Sequence, residues 1–133
     1  ADEAVAALVD AARDGTLSTE EREAADAELA EALSELRLVK DEHEVEEMRR
    51  AVAATVAGFE RIVRNLPRAV EHRRGERVIE SSFDGHAREE GNAVGYETIA
   101  ASGDHATTLH WTRNDGQVRQ GELVLVDAGV EVD

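Results

Sequence analysis

Glu76-Arg77-Val78-Ile79-Glu80-Ser81-Ser82-Phe83-Asp84-Gly85-His86-Ala87-Arg88-Glu89-Glu90-Gly91-Asn92-Ala93-Val94-Gly95-Tyr96-Glu97-Thr98-Ile99-Ala100-Ala101 carries two hydrophobic periods in succession. Up to Glu90 the apolar residues Val78, Ile79, Phe83 and Ala87 recur at helical spacing, and Gly91 closes the run. Beyond Gly91 the pattern alternates: Val94, Tyr96, Thr98 and Ala100 interleave with Gly95, Glu97, Ile99 and Ala101. That alternation predicts a strand. The switch from one period to the other decides the fold class, because everything before it reads as helix and everything after it as strand.

Towards the N-terminus, Asp41 with Glu44 is a helix-start signature. Val45, Met48, Val52, Val56, Phe59, Val63 and Leu66 follow as one stripe, with Met48 and Phe59 read as core, and Pro67 is expected to end the helix. Arg68–Gly75 reads as a polar, basic loop. Earlier still, Ser18-Thr19-Glu20-Glu21 is a capping box, and Ala25, Leu29, Ala32, Leu33 and Leu36 place a helix from Thr19 to about Leu36. Leu36–Lys40 looks short and extended. A first helix spans Ala1–Asp14 and stops at Gly15.

Towards the C-terminus, Thr107–Thr112 is a second strand candidate, and Asn114-Asp115-Gly116 is a hairpin-turn signal. Leu123-Val124-Leu125-Val126 reads as a strand buried on both faces. Asp127-Ala128-Gly129 breaks it, and Val130–Val132 is extended again. Three or four helices followed by three strands predict an α+β fold with an antiparallel sheet. Composition shifts at about residue 40, which suggests a helical linker segment 1–36 ahead of a domain 37–133.

The 133 residues include 30 acidic and 15 basic side chains, a formal charge of -15. Such a surface repels phosphate backbones and anionic lipid, so nucleic acid and membrane are poor partners. Nothing approaches the about 18 consecutive apolar residues of a membrane span. There is no cysteine, which excludes disulfides, thiolate metal sites and thiol nucleophiles. With 30 carboxylates and five histidines, the metal chemistry left open is a hard cation on oxygen ligands, with an occasional imidazole.

No phosphate loop, His-Glu-x-x-His helix or Gly-x-Ser-x-Gly elbow is present. His105 and His110 are five residues apart, so on one straight strand they would face opposite ways. His105 fits a loop after Gly103, and His110 fits the following strand as a hydrogen-bonded histidine. Asp127 directly follows a buried apolar run and precedes two small residues. It is either an aspartate that starts a turn or a carboxylate that meets a ligand.

Four stretches together resemble the catalytic domain of Xaa-Pro aminopeptidases. They are Leu36–Ala51 with Met48-Arg49-Arg50; Gly75-Glu76 through Tyr96 to Gly103; Thr108-Leu109-His110-Trp111-Thr112 with Asn114, where Trp111 stands in place of the commoner Tyr; and Gly121–Gly129. The resemblance implies the first half of a pita-bread fold. It implies two divalent cations, usually Mn2+, held by two Asp, one His and two Glu. Asp127 matches the first metal-ligand Asp, and His110 matches the substrate-side histidine that helps stabilise the tetrahedral intermediate. The second Asp motif, the ligand His and both Glu have no match here, and Asp133 is too close to Asp127 to serve. The resemblance therefore points to a middle piece of a metallopeptidase that removes the residue before proline, and the lack of a targeting signal suggests a cytoplasmic address. Prolidase is a near neighbour of that reading. A metal-free peptide-binding module or pseudo-enzyme on the same scaffold is the alternative. Apolar surface left without cover predicts self-association as a homo-oligomer.

Overall fold

Ser18 and Asp41 start their helices by the same device. The Glu21 amide donates to Ser18 Oγ (3.3 Å) while the Ser18 amide donates to Glu21 Oε2 (2.8 Å). The Glu44 amide donates to Asp41 Oδ1 (2.8 Å) and the Asp41 amide to Glu44 Oε2 (2.9 Å). Each pair satisfies two amides that have no partner within the helix. A computed structural model describes residues 3–13, 15 and 17–133. The expected first-helix end at Asp14 lies outside the described residues. The chain divides into two compact units, Ala1–Lys40 and Asp41–Asp133.

The first unit holds α1 (Glu3–Ala12) and α2 (Thr19–Leu38). Leu36–Lys40 is not extended throughout. α2 continues to Leu38 and Val39 turns extended, because leucine and arginine are good helix formers and nothing breaks the helix sooner. Arg13 pairs with Asp26 at 2.6 Å.

The second unit holds α3 (Glu42–Glu71), α4 (Gly75–Glu90), β1 (Ala93–Val94), β2 (Ile99–Ser102), a 3-10 turn (Gly103–Thr107), β3 (Val124–Asp127) and β4 (Val130–Glu131). β1 pairs antiparallel with β4, and β2 with β3 in the register Ile99 opposite Asp127 through Ser102 opposite Val124. The core joins Ile62 and Ala69 of α3 to Val78, Ile79, Phe83 and Ala87 of α4, and then to Ala100, Val118, Ala128 and Val130. The Val130 amide donates to Thr55 Oγ1 (3.0 Å) and so ties β4 to α3. No helix among the described residues is long and apolar enough to cross a membrane.

Several expectations are corrected. Pro67 lies inside α3, which runs on to Glu71 and leaves only residues 72–74 as loop. A helix-interior proline costs about 3 kcal/mol. The last turn persists here because Ala69 is fully buried and its carbonyl accepts from the His72 amide (3.2 Å). Met48 is not a core residue: it is 55% exposed, and Val52, Val56 and Val63 are exposed with it. Phe59 is half-buried against the core and meets Phe83 edge-on, with centroids 5.8 Å apart. The face of α3 that packs on α4 is the one with small residues. A Cβ added at Gly58 would stand 2.6 Å from Phe83 Cε2.

That contact makes a prediction. Phe83 is fully buried and has little room to retreat. Gly58→Ala gains about 1 kcal/mol of helix propensity but overpacks the interface by about 1–3 kcal/mol. Thermal unfolding is expected to show a lower midpoint for the variant. A midpoint equal to or above the wild type's would mean that Phe83 shifts freely.

The strands also differ from expectation. Thr107–Thr112 is not a strand, and Asn114-Asp115-Gly116 is not a hairpin turn, since β2 pairs with β3 across the whole intervening loop. Leu123–Val126 is not buried on both faces. Val124 and Val126 are half-buried, whereas Leu123 is 88% exposed and Leu125 is exposed too.

Candidate active site

β3 ends at Asp127, and the antiparallel register sets it opposite Ile99. Asp127 is exposed, and its Oδ1 accepts a hydrogen bond from the Tyr96 hydroxyl at 2.7 Å. The Asp127 carboxylate, helped by partial burial, raises the Tyr96 pKa above its ordinary value. The phenol therefore remains a donor, and Asp127 keeps its second oxygen for another partner.

His110 sits in the loop between β2 and β3 with a left-handed φ of 53°. It is not a hydrogen-bonded strand histidine. It lies outside any strand, and its ring makes no hydrogen bond among the described residues. His110, Thr112, Tyr96, Glu97, Ile99 and Asp127 line one open cleft of about 420 Å³. The two residues singled out from sequence thus share a cleft, although the chain between them makes a long excursion.

Two buried polar side chains hold that excursion. Asn114 is fully buried with φ 45°. Its Oδ1 accepts from the Ala100 amide (2.9 Å), and its Nδ2 donates to the Thr98 carbonyl (2.8 Å). It takes the bonding positions a neighbouring strand would occupy, which explains why residues 107–116 need no strand. Glu76, in the first turn of α4, is also fully buried. Its Oε1 accepts from the Ser102 amide (2.8 Å) and from His105 Nδ1 (2.8 Å). His105 must be the donor there, because a carboxylate only accepts. Oε2 accepts from the Gly116 amide (2.7 Å) and Trp111 Nε1 (3.0 Å). The His105 and Trp111 rings stack at 3.9 Å, 26° apart.

Burial acts to raise the Glu76 pKa, but the Ser102, Trp111, His105 and Gly116 donors together outweigh it and hold the carboxyl below its ordinary value of 4.5. A carboxyl depressed in the folded state adds stability that is fully present above the unfolded pKa. That stability drains away as pH falls from 4.5 through the lower folded value. Glu76→Gln removes the titration. The stability gap between wild type and variant, measured by urea unfolding, is expected to narrow as pH drops below about 4.5. A gap independent of pH would mean that Glu76 does not titrate with folding.

Glu76, Tyr96 and Asn114 fall within the family-like stretches, but sequence reading gave none of them a role in the site. Glu76 did leave a signal, since it stands three residues before Ile79 and seven before Phe83, on the apolar stripe of α4. For Tyr96 and Asn114 the role itself left none, as their partners Asp127, Ala100 and Thr98 are distant in sequence.

Among the described residues no group of three or more His, Cys, Asp or Glu side chains could hold a metal ion. This chain therefore offers a carboxylate at the cleft, not a complete coordination shell. The fold is one shared with metallopeptidases. Residues 46–133 match metallopeptidase family M24, and the chain belongs to that family. Among curated proteins it is 54% identical to Xaa-Pro aminopeptidase 2 of Streptomyces coelicolor over 92% of this chain and 25% of that protein. It is 58% identical to Xaa-Pro aminopeptidase 1 of the same organism over 80% of this chain and 21% of that protein. Solved structures with a similar fold include E. coli aminopeptidase P with the inhibitor Pro-Leu (32% identity, TM-score 0.60, 73% of this chain and 21% of that one). The X-Pro aminopeptidase of Thermotoga maritima is another (28% identity, TM-score 0.65, 77% and 28%). The chain spans about a quarter of the length of the curated relatives it matches. Family M24 enzymes use divalent metal ions, and the α+β arrangement with antiparallel strands is the one these structures share.

Proposed function

We propose that this chain forms one side of the active site of an Xaa-Pro aminopeptidase, which removes the N-terminal residue ahead of proline from a peptide. The observation that carries the reading is that Asp127 and His110 line the same cleft. Asp127 is the carboxylate ligand this side contributes to a pair of divalent cations, Mn2+ by resemblance. When bound, such ions supply Lewis acidity and an activated water. Tyr96 holds one Asp127 oxygen and leaves the other to the metal side. His110, with a ring free of other partners, hydrogen-bonds the carbonyl oxygen of the scissile peptide as negative charge develops on it. The remaining ligands come from chain not included in these 133 residues.

The test is release of the N-terminal residue from an Xaa-Pro-Xaa tripeptide by the complete enzyme, before and after chelation. Turnover that disappears with chelator, returns with Mn2+ and fails on an Xaa-Ala-Xaa control is expected. Cleavage of Xaa-Pro dipeptides alone would indicate prolidase specificity. No hydrolysis of any of these by the metal-loaded protein would favour a peptide-binding module.

A further inference from the structure

We propose that Glu76, which lies outside the cleft, is a positioning residue for His110: its buried carboxylate gathers four N–H groups and so fixes the loop that presents the imidazole. The proposal rests on the reading of His110 given above. Burying a carboxylate without a lysine or arginine beside it is costly, and an apolar side chain would fill the same space more favourably. Here the cost has an evident return. A carboxylate is all acceptor, and each Glu76 oxygen takes two donors. Those donors bracket His110 along the chain: Ser102 and His105 precede it, and Trp111 and Gly116 follow.

Besides Glu76, the loop is tied by the buried Asn114 side chain, and the Thr112 amide donates to the His110 carbonyl at 2.8 Å. Between β2 and β3 the only regular structure is the turn Gly103–Thr107. The His110 ring has no hydrogen bond among the described residues, and the preceding Leu109 is 89% exposed. The left-handed backbone of His110 is unfavourable for a residue with a Cβ, and a free loop would relax it. The adjacent Trp111 is clamped on its edge by Glu76 and on its face by His105. A second tie runs from the Glu76 backbone, whose amide donates to the Gly116 carbonyl at 3.2 Å while the Gly116 amide donates back to the side chain. Clamping 105, 111 and 116 to one point on α4, beside the Asn114 anchor, restricts where 110 can lie.

The experiment is Glu76→Gln in the complete, metal-loaded enzyme. Glutamine keeps the size, but its carbonyl serves one pair of donors and its NH2 group is turned on the other pair. Unchanged metal content is expected, with kcat lowered about 10- to 100-fold and KM changed less than about 3-fold, as for a misplaced reacting group. In a His110→Ala background the same change is expected to lower kcat less than about 2-fold further, because the group being positioned is gone. A full, additive loss in that background overturns the proposal. A crystal structure of the variant decides the point without activity. A displaced His110 imidazole supports positioning, and a superposed one overturns it. If His110→Ala itself turns over like wild type, the functional reading of His110 fails, and the crystallographic comparison alone judges Glu76. Should Glu76→Gln not fold, Trp111→Phe keeps the stacked ring and removes one donor. A smaller fall in kcat, about 3- to 10-fold with metal retained, is expected there, and wild-type turnover with His110 in place overturns the proposal.

Discussion

Asp127→Ala in the complete enzyme is expected to lose most of its bound divalent metal and to lower kcat by about 10³-fold or more. The physical argument starts at β3. Its pairing with β2 sets Asp127 at the strand end and opposite Ile99, so the backbone under the carboxylate is held by the sheet. The Tyr96 hydroxyl then takes Oδ1 at 2.7 Å and fixes the carboxylate's rotation. A ligand oriented in advance loses little freedom when a cation arrives. Removing it leaves a dinuclear site short of a negative charge and an oxygen donor. Elemental analysis after dialysis reads the effect directly, and metal content equal to wild type would rule out Asp127 as a ligand. Tyr96→Phe is the milder companion, since it frees the carboxylate without removing it.

His110→Ala is expected to separate chemistry from metal binding. Loss of a donor that acts on developing charge lowers kcat by about 10²–10³-fold, with metal content unchanged and KM moved much less. The exposure of His110 on the cleft and its freedom from other partners leave the imidazole available to substrate. Steady-state kinetics on an Xaa-Pro peptide, with metal content measured on the same preparation, checks both halves of the statement. Normal turnover would remove His110 from the mechanism. Low turnover accompanied by lost metal would make it a ligand instead.

What the amino-acid sequence determined by itself is local or carried by motif. The boxes at Ser18 and Asp41 are legible because both partners of each hydrogen bond lie within four residues. α4 is legible from one apolar stripe and its end from Gly91, but the one alternating strand read over Val94–Ala101 is two short strands, β1 and β2, in separate pairings, with Ile99–Ser102 buried throughout. Asp127 and His110 were singled out by short motifs. Composition excluded cysteine chemistry outright.

The tertiary structure decided whatever depends on residues distant in sequence. The apolar side of α3 is wide, and its periodicity does not say which edge is buried. Phe83 chooses Gly58 and its neighbours, because only small residues allow the ring so close, and Met48, Val52 and Val56 stay outside. Pro67 reads as a stop until the burial of Ala69 offsets its cost. Thr107–Thr112 has strand-like residues, yet its loop takes its hydrogen bonds from the side chains of Glu76 and Asn114. Those contacts span up to 40 residues. A buried acceptor that organises a loop is written as one glutamate on a helix stripe. Only the fold, by bringing Ser102, His105, Trp111 and Gly116 to the same two oxygens, shows what that glutamate holds.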